Sequence, residues 1–425
     1  MAAEPMTIDY QMFNRLCRAH AELQDDFTAM LRCLENTSTL SKASLHREKF
    51  SAMLKRHPLA DGGPPPTLAD VLEPQLLGRE VLRSCGGLEL LALKEACSAT
   101  CQCATAMQTG RLYAFGGSID LSHGAPMNTV ECFDLCTGKW ESMPSMKIGR
   151  LGSVAGVIGG HVYVCGGVGE LARMVEKFNL RLQKWEWCAP FPRLSVQRAY
   201  AAAAVVSGRL YICGGEDMDA VIVHSSVECF DPQLANGKGG TEVLPAQMLA
   251  PRRDSAAVVL PGMSYVAVCG GMPCATSVSV DGVRPHATCE MLGVIHTGSS
   301  WQEVEPMTRT RTNHSAVCVR GSIYVCGGFS VGPDPDSTVE RFDLEQGCWN
   351  AMPPMLSVRG SHGAAALADR LYVVGGAGSD GQGLPALKSA ECCGLDGGKW
   401  EWIPQMLQAR TFFPMVAVKP GGCFK

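Results

Sequence analysis

The chain has 425 residues, 46% of them hydrophobic, with 37 basic against 41 acidic side chains and a net charge of −4. That balance excludes a general nucleic-acid binder, which shows a basic excess, and no window of about 20 apolar residues exists to cross a membrane as a helix. Its 47 glycines and 25 prolines point to a turn-rich β protein.

The first hundred residues read differently from the rest. Phe13, Leu16, His20, Leu23, Phe27, Met30 and Leu34 alternate three and four apart, the stripe of a helix. Such a helix packs on its own chain or self-associates as a coiled coil. A second helix is expected over 41–56, completing a helical region at 1–57. PLADGGPPP at 58–66 is a Pro/Gly linker. Over 67–100, leucines and valines recur at helical spacing, and Gly86–Gly87 divides two short helices. VLRSCGGLELLALKEAC (81–97) resembles the Leu-rich stretch of an F-box, without its Leu-Pro start and without a tryptophan after Ala96–Cys97. The resemblance implies docking to a Skp-type adaptor of a cullin ubiquitin ligase, with Leu88, Leu91 and Leu93 on or behind the docking face. An ordinary helical cap is the alternative. A BTB domain would need several strands here and is not expected.

From residue 101 onward one phrase returns. RLYAFGG (111–117), HVYVCGG, RLYICGG, SIYVCGG and RLYVVGG end in paired glycines, and the pairs begin at Gly116, Gly166, Gly214, Gly270, Gly327 and Gly375. A fixed period near fifty residues marks a repeat architecture. Each unit reads as four strands. These are a small-residue strand (SVAGVI, AAAAVV), the strand ending in the glycine pair, a strand such as TVECFD or TVERFD, and a strand with tryptophan such as GKWESMP or GKWEWIP. Arg150, Arg198, Arg311 and Arg359 each lie 16 residues before the first glycine of their pair, and Arg253 lies 17 before. Four strands per unit is a propeller blade.

These residues resemble the kelch repeat, over about 101–425. The resemblance implies a six-bladed β-propeller around a central channel. Blade three lacks the tryptophan (TEVLPAQM), blade four has HATCEMLG, and blade six has SAECCGL; all three are still expected to form. Two segments compete for the innermost strand of blade one, CQCATAM (101–107) and RTFFPMVAV (410–418). Arg410, ten residues after Trp400, favours closure by the C-terminal segment.

Arg150, Arg198, Arg253, Arg311, Arg359 and Arg410 occupy equivalent places at the entry to the innermost strands. Two readings stand open. Each pairs with a repeat glutamate (Glu131, Glu176, Glu228, Glu290, Glu340, Glu391), or some recognise an acidic partner peptide at the propeller mouth. His314 and His362, three residues after their arginines, are expected to line the channel, with Ser153, Ala201, Ala256 and Phe413 at matching places. They complete the candidate partner-binding set. The loop 272–288 is the longest between second and third strands and the one expected to carry specificity. Cys165, Cys213, Cys269 and Cys326 precede glycine pairs, where a small buried hydrophobe fits. The 21 cysteines are an odd number and MAAEPMTIDYQMF is no secretory opening, so reduced thiols in the cytoplasm or nucleus are expected. CQC at Cys101 and Cys103 lacks a second ligand pair, so neither metal nor cofactor is expected.

The expected function is a non-catalytic binding platform, most concretely the substrate receptor of a cullin-type ubiquitin ligase. The alternatives are a cytoskeletal or signalling scaffold that self-associates through its N-terminal helix and, more distantly, a galactose-oxidase-like enzyme.

Overall fold

The computed structural model describes residues 110–419, apart from 122–123, 187–191, 235–238, 261–264, 276–282, 295–298, 380–382 and 396. The expectations placed on 1–57, 58–66 and 67–100, including Leu88, Leu91 and Leu93, and on the strand candidate 101–107, lie outside the described residues.

Alternating buried and half-buried residues, bounded by Gly-containing turns, make short antiparallel strands. These assemble into six four-stranded sheets, the six expected blades. Blade two is typical. Ser153–Ile158 is innermost, followed outward by His161–Gly166, Glu176–Asn179 and Lys184–Glu186. Its innermost strand holds Ala, Gly and Val because six such strands converge on one axis, and each touches its neighbours around the whole ring. The three blades with weak motifs are all formed, with third strands Val227–Asp231, Cys289–Gly293 and Ala390–Gly394.

The C-terminal segment closes the ring. Met415–Val418 pairs antiparallel with Arg111–Ala114 and supplies the innermost strand of blade one.

There is no single core. Six apolar layers lie between adjacent blades. Between blades one and two, for example, Tyr113, Phe115 and Val130 pack against Val162, Val164 and Phe178. Each sheet is apolar on both faces and needs a neighbour on each side. The four cysteines before the glycine pairs are buried in these layers, as expected, and are free. Burial pushes the thiols of Cys165, Cys213 and Cys326 up to about 12, so they pack as hydrophobes.

The repeat tryptophan does more than fill space. The indole N–H of Trp140, Trp185, Trp349 and Trp400 donates to a carbonyl that follows the outermost strand of the preceding blade: Pro404, Pro144, Glu305 and Pro353. Blade three has no tryptophan, and Thr241 Oγ1 donates instead to the Arg193 carbonyl at 2.9 Å.

Candidate functional site

One end of the propeller carries the loops between second and third strands together with the linkers that lead into each innermost strand. All the candidate arginines, histidines and glycine pairs gather here.

The arginines are internal. Arg150, Arg198, Arg252, Arg311, Arg359 and Arg410 are 0–2% exposed. Each meets the third-strand glutamate of its blade, in the pairs Arg150–Glu176, Arg198–Glu228, Arg252–Glu290, Arg311–Glu340, Arg359–Glu391 and Arg410–Glu131. The same guanidinium donates to the carbonyl of the first paired glycine, at 2.6–3.1 Å. Each glutamate also accepts a linker N–H, from Lys147, Ser195, Leu249, Thr308, Leu356 and Leu407. Burial pushes the guanidinium pKa down at Arg198, Arg359 and Arg410, and the glutamate draws it back. A buried charge needs this full set of partners. Of the two readings left open by the sequence, the glutamate pairing is therefore the one observed. An acidic peptide at the mouth finds no guanidinium of this ring facing it.

Arg253 is a correction within that set. The buried member in blade four is Arg252, 18 residues before Gly270, whose carbonyl accepts from its Nη1 at 2.6 Å. Blade four has four residues between Leu260 and Tyr265, where blade two has two between Ile158 and His161. Those two extra residues move the count from 16 to 18. The channel position matching His314 and His362 is accordingly Ser255, not Ala256. The Ser255 Cβ lies where Gly271 leaves room for it, as the His314 Cβ does at Gly328.

Arg253 itself is half-buried and paired. Its Nη1 lies 3.4 Å from Glu216 Oε2 and 3.1 Å from Asp254 Oδ2, and it donates to the carbonyls of Cys274 and Ala275. Burial raises the pKa of both carboxyls, Asp254 to about 6, while Arg253 opposes the rise.

His314 and His362 are withdrawn from the surface. Both are buried, and each ring lies against the first paired glycine of the preceding blade, Gly270 and Gly327. Phe413 takes the same place against Gly375. Burial, then the neighbouring Arg311 or Arg359, pushes each histidine pKa down to about 3. They are neutral fillers of a position that phenylalanine also fills.

The paired glycines are needed for close approach. Gly166 has φ +74°, and a Cβ there would lie 2.7 Å from the Arg198 carbonyl oxygen. Gly167 then donates its N–H to that oxygen at 2.9 Å, a joint found at all six blades.

A second ring has no residue-type signature. Gly152, Tyr200, Asp254, Asn313, Ser361 and Phe412 each lie two residues after a buried arginine, and all have positive φ. The N–H of each donates to the carbonyl of the one before it around the axis, Gly152 to Phe412 included, at 2.7–2.9 Å. The result is a closed cycle of six bonds at the channel mouth. Left-handed backbone costs about 1–2 kcal/mol per non-glycine residue, and here the cycle holds it in place. Tyr200 and Phe412 meet edge to face at 5.2 Å on either side of Gly152. Only residue spacing could have located this ring, because its residue types share no pattern.

Below the mouth the innermost strands carry small, half-buried apolar side chains, such as Ala155, Val157, Ala203, Val205, Ala257 and Val259, which pack against the layers between blades. Among the described residues, no group of three or more His, Cys, Asp or Glu is placed to hold a metal ion. No helix among them is long and apolar enough to cross a membrane. Of the twelve large apolar side chains left exposed among the described residues, eight stand on the loop-and-linker face: Ile119, Leu171, Val221, Ile222, Leu249, Val331, Leu356 and Leu407.

The repeat is similar to that of known proteins. The Kelch motif model matches residues 99–147, 149–192, 197–234 and 310–356. A kelch repeat-containing protein of Arabidopsis thaliana is 39% identical over 88 residues, 20% of this chain and 21% of that protein. An F-box/kelch-repeat protein of the same plant is 41% identical over 64 residues, 15% and 17%. Kelch domain-containing protein 8B of Pongo abelii is 34% identical over 96 residues, 19% and 26%. The chain thus spans about a fifth of the length of the curated relatives it matches. Among solved structures, that of YjhT superposes with a TM-score of 0.53 at 15% identity, covering 64% of this chain and 88% of that one, a likeness of fold alone.

Proposed function

From the premise that this chain is a kelch-repeat propeller protein, we propose that it is a non-catalytic receptor that holds a protein partner on its loop-and-linker face. The observation that carries the reading is the distribution of exposed apolar side chains. Ile119, Leu171, Val221 and Val331 stand at the loops of blades one, two, three and five, on one face of the propeller. Exposed apolar side chains gathered on one face suit protein recognition.

The more concrete reading is a substrate receptor of a cullin-type ubiquitin ligase. Residues 67–100 would dock to a Skp-type adaptor through Leu88, Leu91 and Leu93, and the propeller would hold the substrate. Its support is the F-box-like stretch at 81–97 and the F-box/kelch-repeat proteins among the relatives. Affinity capture of the full chain tests it. Adaptor and cullin are expected with the wild type and lost with Leu88→Asp, Leu91→Asp and Leu93→Asp combined. Capture of other proteins without adaptor or cullin would reject the ligase reading and leave the receptor reading standing.

A further inference from the structure

The loop between second and third strands in blade three is a small hairpin. Glu216–Asp217 pairs antiparallel with Ile222–Val223. The Asp217 carboxylate fastens its turn, accepting the N–H groups of Asp219 at 3.1 Å and Ala220 at 3.0 Å. Its base is fixed as well, because Glu216 and Ala199 exchange two backbone hydrogen bonds. On this support Val221 is 67% exposed and Ile222 51%.

Leu249, 56% exposed, belongs to the linker packed against the end of the same loop. That packing runs through Met248 N–H to the Ser225 carbonyl and Arg252 N–H to the His224 carbonyl. The Leu249 N–H is itself held by Glu290 at 2.6 Å. Three aliphatic side chains are thus presented with little freedom left to lose on binding.

The charge around them is negative. Asp217 and Asp219 lie in the hairpin, Asp219 exposed, while Glu216 and Asp254 at its base are buried. Arg253 is the cation they share, and it reaches Glu216 and Asp254. Arg252 is buried on Glu290.

We infer that the blade-three hairpin docks a polypeptide segment of a partner protein in which aliphatic or aromatic anchors are flanked by lysine or arginine. The inference rests on the receptor reading and names the chemistry of the partner. Its sign is opposite to the acidic peptide expected from the arginine ring, because those arginines are internal and Asp217 and Asp219 are the charges the hairpin presents. The same field repels nucleic acid and anionic lipid.

The test is fluorescence anisotropy of the full chain with two labelled dodecapeptides, one alternating leucine with lysine and the other alternating leucine with glutamate. The lysine peptide is expected to bind at least about tenfold more tightly, and added salt should weaken it. Asp217→Asn with Asp219→Lys keeps the turn's acceptor oxygen, removes one charge and reverses another, and should weaken the lysine peptide by about tenfold. Val221→Ser with Ile222→Ser should weaken it comparably. Should the hairpin variants lose their fold, the exposed Asp219→Lys alone gives the same readout in smaller measure. Equal binding of the glutamate peptide, or indifference to both hairpin variants, would overturn the inference. Binding lost instead on Ile119→Ser with Leu171→Ser would overturn it too, yet leave the receptor reading intact.

Discussion

Arg410 and Glu131 lie 279 residues apart and meet at 2.8 Å, both buried. The same arginine donates to the carbonyls of Gly116 and Thr129, so one side chain joins the last strand of the chain to the first blade. Breaking a buried pair by removing one partner leaves an uncompensated charge and costs about 3–5 kcal/mol. Arg410→Met should therefore lower stability by that order in urea unfolding. Arg311→Met should match it, because Arg311 makes the equivalent bonds to Glu340, Gly327 and Thr338. A much smaller loss at Arg410 alone would mean that another segment closes the ring.

Acid should weaken the propeller through His314 and His362. In the folded chain each holds its proton only below a pKa of about 3, while an unfolded histidine titrates near 6.5. Between those values the unfolded state binds more protons, so stability falls as pH drops from about 6.5 towards 3 and is unaffected above that window. Asp254, raised to about 6, works the other way between roughly pH 6 and 4, with one group and a smaller shift. His362→Phe, copying Phe413, should flatten the fall of Tm with acid. An unchanged slope would show that the histidine is hydrated in the folded state.

The tryptophans should not be equivalent. Trp140 donates to the Pro404 carbonyl at 2.8 Å, whereas Trp301 Nε1 is buried without a hydrogen-bond partner. Trp140→Phe loses a bond worth about 1 kcal/mol and orphans a carbonyl. Trp301→Phe loses no such bond and relieves a buried donor. Chemical unfolding of the two variants should therefore show the larger loss at Trp140.

The turn in blade six, Ala368–Asp369, has φ of 49° and 55°. Two-residue hairpins with both residues left-handed favour Asn-Gly. Asp369→Gly gives up an ion pair with Arg320 that is exposed on both sides, which contributes little, and should raise stability by about 1 kcal/mol. A fall in Tm would mean that the surface pair matters more than the backbone.

Most of the fold was legible because its signals are periodic. Paired glycines, Val-Glu-x-Phe-Asp strands and tryptophans recur for packing reasons that act identically in each blade. Arg410 could be placed at the ring closure by its distance from Trp400. The site was harder to read. Spacing locates a side chain along a strand but does not report burial, so the arginines looked equally suited to a glutamate or to a peptide. Two extra residues between Leu260 and Tyr265 were enough to substitute Arg253 for Arg252. The left-handed ring of Tyr200, Asp254, Asn313, Ser361 and Phe412 was invisible because backbone hydrogen bonds, not residue types, define it. The apolar loop tips differ from blade to blade, and no repeat pattern points to them.

If the loop-and-linker face holds a protein partner, that partner depends on the exposed apolar side chains there. The direct measurement is quantitative affinity capture with two variants of the full chain, both retaining wild-type Tm. One carries Ile119→Ser, Leu171→Ser, Val221→Ser and Val331→Ser on that face. The other carries Leu182→Ser and Leu234→Ser at the opposite end, where those side chains are also exposed. The first variant is expected to lose the captured partners and the second to keep them. Partners retained by the first and lost by the second would contradict it.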